Sequence, residues 1–222
     1  ALPASMRAGA KYLGVAAALA TCAVALVLAA GFDPAGARFQ FVESHSWIAS
    51  FGAGYTLGID GIALALVVLT AGLVPLLMVA GWRDADGGGG KGPQVYVALT
   101  LVVEAMVLLS LVALDILLFY ILFEAMLIPM YFLIGAFGGA ERGKAALKFL
   151  MYNLVGGLVM LAAVVGLYVV TADSGAFDGG TFDFRAITDA IADGRFAIAP
   201  SVANALFLGF MFAFAVKAPL WP

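Results

Sequence analysis

One carboxylate lies where an uncharged side chain is expected. Residues 116–137 form a run of 22 apolar or weakly polar positions whose single charge is Glu124. Such a run is long enough to cross the ~30 Å hydrocarbon core of a bilayer at ~1.5 Å per residue. An ionised carboxylate at that depth costs at least about 2.5 kcal/mol, and more without a partner. We therefore predict that Glu124 is functional and that it has a partner of opposite charge.

Lys217 is the natural partner, because it is the one charge in a second apolar run at 201–222. Pro219 and Pro222 follow the lysine at once, and proline does not continue a regular helix. Helices that break at membrane depth expose backbone carbonyls and mark ion sites in transporters. We expect this last helix to be broken near Lys217–Pro219 and predict a Glu124–Lys217 pair.

Such a pair suits proton transfer. Burial disfavours the charged form of both groups, whereas their mutual attraction favours it. The protonation of each group therefore depends on the distance and charge of the other, and the two titrations are coupled. The alternative is a static ion pair that only holds helices together. Removing one partner of a buried pair is destabilising under either interpretation, so loss of stability does not discriminate.

Three further residues are candidates for a proton relay. Tyr120 precedes Glu124 by four residues and falls on the same helical face. Glu104 lies in the middle of its own apolar run, and it is a second relay carboxylate, a protonated packing acid or an acid that faces a neighbouring subunit. Lys148 opens a run at 149–172, where it extends to the membrane interface or supplies protons from the inner side.

Composition places the whole chain in a membrane. Apolar residues make up 64% and charged residues 11% of the sequence, with a mean hydropathy of +1.10, whereas soluble domains are near half apolar and a quarter charged. The apolar runs are continuous rather than alternating, which is typical of helices and not of barrel strands. We predict an all-α polytopic bundle in a single membrane domain over residues 1–222. Its six predicted spans are 12–32, 61–82, 94–114, 116–137, 149–172 and 201–222.

Two of these spans are almost fused. Residues 94–137 would be ~66 Å long as one helix, which is twice the bilayer core. The chain must therefore fold back between them, and Asp115 is the one charge available to mark that turn. We expect Asp115 at the membrane surface.

Basic residues in the short loops predict the orientation. Seven of them precede the first span, follow the second or follow the fourth, and three lie on the opposite side in longer loops. We therefore expect a cytoplasmic N-terminus and an external loop at 173–200. The seven are Arg7, Lys11, Arg83, Lys91, Arg142, Lys144 and Lys148, and the three are Arg38, Arg185 and Arg195.

Other sites have little support in the sequence. The run Gly87–Gly90 with Lys91 fails as a phosphate-binding loop, because Gly92 stands where Ser or Thr should bind magnesium. We expect a flexible hinge there. Cys22 is the only cysteine and supports no disulfide, and His45 is the only histidine. We expect no metal and no cofactor to bind this chain.

Five segments resemble one family of membrane subunits. They lie in order at residues 57–61, 114–120, 123–135, 146–152 and 212–219, and the resemblance extends over nearly the whole chain. The segment at 123–135 contains the pattern Glu-x-Met-x-x-Pro-Met. Together these segments resemble the M-type (chain 4) antiporter-like subunit of respiratory complex I, the proton-translocating NADH-quinone oxidoreductase of the respiratory chain.

The resemblance implies a role and its residues. The family's key glutamate corresponds to Glu124 and its first essential lysine to Lys217. The subunit moves protons through the bacterial cell inner membrane as part of a multisubunit translocase. NAD, flavin, iron–sulfur clusters and quinone are expected in other subunits, and the L-type and N-type antiporter-like subunits are expected partners. The family also implies a larger bundle of inverted repeats, so we expect this chain to be a fragment.

Two alternatives to this role stay open. A multisubunit sodium/proton antiporter shares the same ancestral bundle and needs no NADH-linked partner. An assembly or scaffold protein would keep its buried charges for structure alone.

The predicted orientation can be tested with single cysteines in the full-length protein, after Cys22 is replaced by serine. A membrane-impermeant maleimide should label Lys144→Cys from the cytoplasmic face only, and Asp178→Cys from the opposite face only. The reverse pattern of labelling would contradict the orientation.

Overall fold

Helices form most of the part of the chain that the structure describes. The structure is a computed structural model that describes residues 7–86, 92–218 and 220. Within these residues, six helical segments are long and apolar enough to cross a membrane, which confirms the predicted fold class. They are α1 (Arg7–Gly31), α2 (Gly61–Ala80), α3 (Pro93–Val112), α4 with α5 (Ile116–Ala125 and Leu127–Phe137), α6 (Arg142–Asp173) and α8 (Pro200–Lys217).

Three helices differ from the predicted spans by five residues or more at one end, and the first is α1, which begins at Arg7 rather than at residue 12. Helix α6 begins at Arg142 rather than at residue 149, because polar residues in a helix's first turns do not interrupt it although they lower local hydropathy. Helix α8 ends at Lys217, with Ala218 as its C-terminal cap. Pro219 and Pro222, and the predicted hinge Gly87–Gly90 with Lys91, lie outside the described residues.

The fourth span is interrupted at Met126, between α4 and α5. Pro129 lacks a backbone N–H, so the carbonyl of Ala125, four residues earlier, loses its helical donor. Tyr120 and Glu124 therefore belong to α4, whereas Tyr131 belongs to α5.

A hairpin and a short helix were not predicted from the sequence. Strands β1 (Gln40–Ile48) and β2 (Ala53–Ile59) form a two-stranded sheet between α1 and α2. The amphipathic helix α7 (Phe184–Ala192) is capped at its N-terminus by Asp183, whose side chain accepts hydrogen bonds from the N–H groups of Arg185 and Ala186. Buried Ile187 and Ala190 pack it against Phe196.

The helices form two compact units. The first unit contains α1, α2, α3, α5 and the start of α6. The second unit contains the hairpin, α4, the rest of α6, α7 and α8. The single membrane domain expected over residues 1–222 stays a prediction.

Each unit has a core of small and medium side chains. In the first unit, Ala18 and Ala71 are fully buried, and they belong to clusters that join α1, α2 and α3. In the second unit, Met160 and Val164 of α6 and Ala213 of α8 are buried against aromatic side chains of α4. Small residues at these contacts allow helix backbones to approach closely, as is usual in membrane bundles.

Asp115 lies in the predicted turn, between α3 and α4, but it is buried. Its residue is only 2% exposed, so protein covers this turn, and its expected place at the membrane surface stays a prediction. One carboxylate oxygen accepts a hydrogen bond from the N–H of Leu118 at 2.9 Å, which caps the start of α4. The other accepts from the N–H of Gly54 in β2 at 2.8 Å. Asp115 therefore ties the hairpin to the helix that carries Glu124.

The bonds of Asp115 predict a cost for their loss. Asp115→Ala removes a helix cap and leaves the N–H of Gly54 unpaired, so we expect a loss of about 1–3 kcal/mol in stability. Thermal unfolding of the full-length protein in detergent measures this cost. The exposed Asp178→Ala serves as a control that should change stability little.

Burial raises the pKa of the Asp115 carboxyl, and the N–H groups of Gly54, Leu118 and Leu117 oppose this shift only in part. A carboxyl whose pKa is higher in the folded than in the unfolded protein favours folding at low pH. The stabilisation that the Asp115 carboxyl contributes should be lost as the pH rises from about 3.9, the pKa of an unfolded Asp, through the higher pKa of the folded protein. Asp115→Asn should remove this part of the pH dependence. Identical pH profiles for both proteins would contradict the shift.

Candidate functional site

The second unit brings Glu124 and Lys217 together. Nζ of Lys217 lies 3.5 Å from Oε1 of Glu124, and each side chain is 16% exposed. Glu124 is in the last turn of α4, and Lys217 is the last residue of α8. The two charges are 93 positions apart in the sequence, so the fold and not local structure makes this pair.

Phe123 completes the surroundings of the amine. Lys217 donates a hydrogen bond from Nζ to the carbonyl oxygen of Phe123 at 2.5 Å. The same Nζ lies 3.7 Å from the centroid of the Phe123 ring, within cation–π range. The last four carbonyls of a helix lack intrahelical donors, and the C-terminal end of a helix attracts cations. The interruption at Met126 thus ends α4 where the ammonium group needs acceptors.

The carbonyl of Phe123 was not among the predicted site residues. A backbone acceptor has no side-chain signature, and the only sequence signal for it is Pro129, which indicates that the helix is disturbed nearby.

Two adjacent glycines on α6 make room for this pair. A Cβ atom at Gly157 would collide with the carboxylate of Glu124. A Cβ at Gly156 would lie 3.0 Å from Val216, the residue before Lys217. The sequence identifies both glycines as helix-packing positions without a link to the charges. The structure shows that Gly157 sets how closely α6 approaches the carboxylate.

Aromatic rings surround the pair on the side of α4. Phe123 stacks on Phe119 with centroids 5.3 Å apart, and Phe214 of α8 makes edge contacts with both rings. Tyr120, the predicted relay residue one turn before Glu124, packs against the core of the second unit. Oε1 of Glu124 has no hydrogen-bond partner among the described residues, so its ion pair with Lys217 is its main polar contact. In such an apolar setting the charge of each partner depends on the other.

The other two relay candidates lie in the first unit. Glu104 is buried, 4% exposed, within α3, where it lines a groove. Lys148 is exposed and lies inside α6 rather than at its start. Among the described residues, no group of three or more His, Cys, Asp or Glu side chains is arranged to hold a metal ion.

Comparisons with known proteins place the chain in a family. A family model described as NADH:quinone oxidoreductase/Mrp antiporter, TM, matches residues 113–222. All of this chain aligns at 57% identity with NADH-quinone oxidoreductase subunit M of Mycobacterium tuberculosis H37Rv, 44% of which it covers. The chain belongs to the family of M-type antiporter-like membrane subunits. This confirms the resemblance found in the sequence.

Two solved structures have the same fold as this M-type chain. One is a chain of respiratory complex I from Thermus thermophilus with bound NADH, with a TM-score of 0.78 and 28% identity over 94% of this chain and 40% of that one. The other belongs to an Mrp complex from Dietzia sp. DQ12-45-1b, with a TM-score of 0.67 and 20% identity over 93% of this chain and 23% of that one, which shows the fold alone. This chain therefore spans less than half the length of these relatives.

The Gly157 contact predicts a specific energetic coupling. Gly157→Ala should push the carboxylate of Glu124 away and weaken the buried pair, and we expect a loss of about 1–3 kcal/mol in stability. Unfolding of the full-length protein in detergent measures the change. In a Glu124→Ala background the same substitution should cost nothing, because the atom that it displaces is gone.

Gly143→Ala is the matched control, since it lies on the same helix and a Cβ there meets no atom within 4 Å. It should be neutral or stabilise the helix by up to about 1 kcal/mol. Equal costs for Gly157→Ala with and without the Glu124 carboxylate would contradict the proposed contact.

Proposed function

We propose that this chain is part of the proton-translocating, antiporter-like subunit in the membrane arm of an NADH-quinone oxidoreductase, and that Glu124 and Lys217 form its protonation switch. The observation that carries this proposal is the ion pair of 3.5 Å between two side chains that are each mostly buried. A membrane helix has no structural need for either charge, because an apolar side chain would cost less there.

The geometry supports a switch because the amine has competing acceptors. Lys217 contacts the carboxylate of Glu124, the carbonyl of Phe123 and the ring of Phe123. A lysine stem is flexible, so the ammonium group can shift from one of these acceptors toward another. When it moves away, the carboxylate loses the charge that kept it ionised and takes up a proton. When it returns, the proton is released.

A static ion pair is the competing explanation for the same distance. It predicts that a shape-matched apolar replacement of both charges, such as Glu124→Leu with Lys217→Met, leaves transport intact in the assembled complex. The switch predicts that this double variant assembles without translocating protons.

The family supports the proposed partners, membrane and cofactors of the complex. We propose that other membrane-arm subunits, including the L-type and N-type ones, are the partners of this chain in a bacterial cell inner membrane. NAD, flavin, iron–sulfur clusters and quinone would bind in other subunits, so this chain would contribute to an enzyme without having a redox site of its own. A protonation switch needs no redox group beside it, because coupling acts through the positions of charges.

A subunit of a multisubunit sodium/proton antiporter is the second candidate, because the family model covers both kinds of complex and the fold matches a chain of an Mrp complex. The two functions differ in their neighbours. Subunits with flavin and iron–sulfur clusters that purify with the full-length protein would support the oxidoreductase, and a complex without them would support the antiporter.

The main prediction concerns Glu124→Gln. Glutamine keeps the shape of the side chain but has neither the charge nor a titratable proton, so we expect the assembled complex to lose most of its proton translocation, by about tenfold or more. Dye quenching in inside-out membrane vesicles driven by NADH measures translocation, and native gels measure assembly.

Glu141→Gln is the control for this prediction. Glu141 forms an exposed ion pair with Lys144, and its side chain is 74% exposed, so the same chemical change there should leave both translocation and assembly unaltered. Normal translocation by an assembled Glu124→Gln complex would overturn the proposed switch.

A further inference from the structure

A groove runs along the first unit. It has a volume of about 690 Å³ and is lined by residues of α2, α3 and α5. A water molecule occupies ~30 Å³ of liquid, so the groove has room for a continuous chain of waters. At one end it reaches exposed Asp84 and Gly138, which follow α2 and α5, and at the other end it reaches Thr70 and Val107.

The groove extends to about half the membrane depth. Thr70 lies ten residues, or ~15 Å, before the end of α2. Glu104 lies eleven residues, or ~16 Å, after the start of α3. The end of α2 and the start of α3 are joined by residues 81–92, so both distances are measured from the same face. Half of a ~30 Å hydrocarbon core is ~15 Å, so the groove opens on one face and passes Glu104 near the midplane.

Polar groups follow one side of the groove. Tyr96, Thr100 and Glu104 are spaced four residues apart on α3, which places them on one helical face, and all three line the groove. The hydroxyl of Thr100 donates to the carbonyl of Tyr96 at 2.9 Å, which leaves its oxygen able to accept a hydrogen bond. These residues form a ladder from the open end to the buried acid.

Glu104 is the unsatisfied group at the inner end of this ladder. It is 4% exposed, and its Oε1 has no hydrogen-bond partner among the described residues. Of the described residues that line the groove, the titratable ones are Asp84, Tyr96 and Glu104, and none is a lysine, arginine or histidine. A buried carboxylate without a cation beside it binds a proton or a cation from solution readily.

We propose that this groove is an aqueous half-channel through which Glu104 exchanges protons with the solution on the face where α2 ends and α3 begins. A hydronium ion that reaches the inner end gives its proton to a carboxylate oxygen of Glu104, where an O–H bond forms, and it leaves as water. The return step gives the proton back to water. Exposed Asp84 at the open end attracts the cation.

This inference adds a second protonation site to the proposed function and rests on that function for its role in transport. Whether water fills the groove can be tested without measuring transport. A lipid chain or a helix of another subunit in the groove would keep water and charged reagents out, so chemical accessibility distinguishes these occupants from water.

The first test measures accessibility in the full-length protein in its native membrane, with Cys22 replaced by serine. Thr100→Cys and Val103→Cys lie in the groove, whereas Val102→Cys is exposed on α3 outside it. A cationic, membrane-impermeant methanethiosulfonate should modify both groove cysteines from the face where α2 ends and α3 begins. Since the reactive form is the hydrated thiolate, we expect rates about tenfold or more above that of Val102→Cys.

No modification of either groove cysteine, or modification as slow as that of Val102→Cys, would overturn the half-channel. This outcome does not depend on whether Glu124→Gln stops translocation, so the half-channel and the switch can fail separately.

The second test concerns Glu104 itself. Modification of Thr100→Cys puts a fixed positive charge one turn from the carboxylate and blocks the groove, so NADH-driven translocation in vesicles should fall by about tenfold. Glu104→Gln should lower translocation by itself, and modification in the Glu104→Gln, Thr100→Cys double variant should have no further effect. Unaltered translocation in Glu104→Gln would overturn the proton exchange, whatever the result for Glu124.

Discussion

A lysine ammonium group that is held out of water constrains the second unit of this protein. An ammonium group has three hydrogen donors and no tolerance for an apolar surrounding. Lys217 therefore needs acceptors at the end of α8, and α4 supplies them through the Glu124 carboxylate, the Phe123 carbonyl and the Phe123 ring. The end of α4 at Ala125 and the bare backbone of Gly157 on α6 both follow from the need to bring these groups together.

Among the described residues, three carboxylates that lie mostly out of water have three different kinds of polar surroundings. Asp115 accepts backbone N–H groups from Gly54 and Leu118, which makes it a structural clamp. Glu124 faces the amine of Lys217 at 3.5 Å, and the proposed protonation switch rests on this contact. Glu104 lines a groove, and its Oε1 lacks a hydrogen-bond partner among the described residues, which is the basis of the proposed proton exchange with solution. The surroundings, more than the residue type, assign each acid its chemistry.

Much of the fold could be predicted from the sequence, because the thickness of a bilayer restricts the length of an apolar helix that spans it. The six spans and the turn at Asp115 follow from hydropathy and length alone. The hairpin and α7 did not, since their short amphipathic patterns lie in segments that hydropathy describes only as loops. Pro129 indicated an interruption of the helix, but its exact position at Met126, two residues after Glu124, depends on tertiary contacts.

For the candidate pair, the sequence predicted which residues take part but not their geometry. A single charge in each of two apolar runs was enough to select Glu124 and Lys217, because intramembrane charges are costly. Their separation of 3.5 Å, the carbonyl of Phe123 and the role of Gly157 depend on how α4, α6 and α8 pack, which no local pattern encodes. The burial of Asp115 in its predicted turn was not foreseen for a related reason. A charged residue in a turn is exposed by default, unless another segment supplies hydrogen-bond donors.

Isotope-edited infrared spectroscopy of the assembled complex tests the central claim most directly, since it reads the protonated fraction of Glu124 from a carboxyl band that is absent in Glu124→Gln. The account predicts that Lys217→Met, which keeps the length of the side chain without its charge, increases that band at pH 7. A band of the same area with and without the amine would show that the two groups titrate independently, and it would contradict the account.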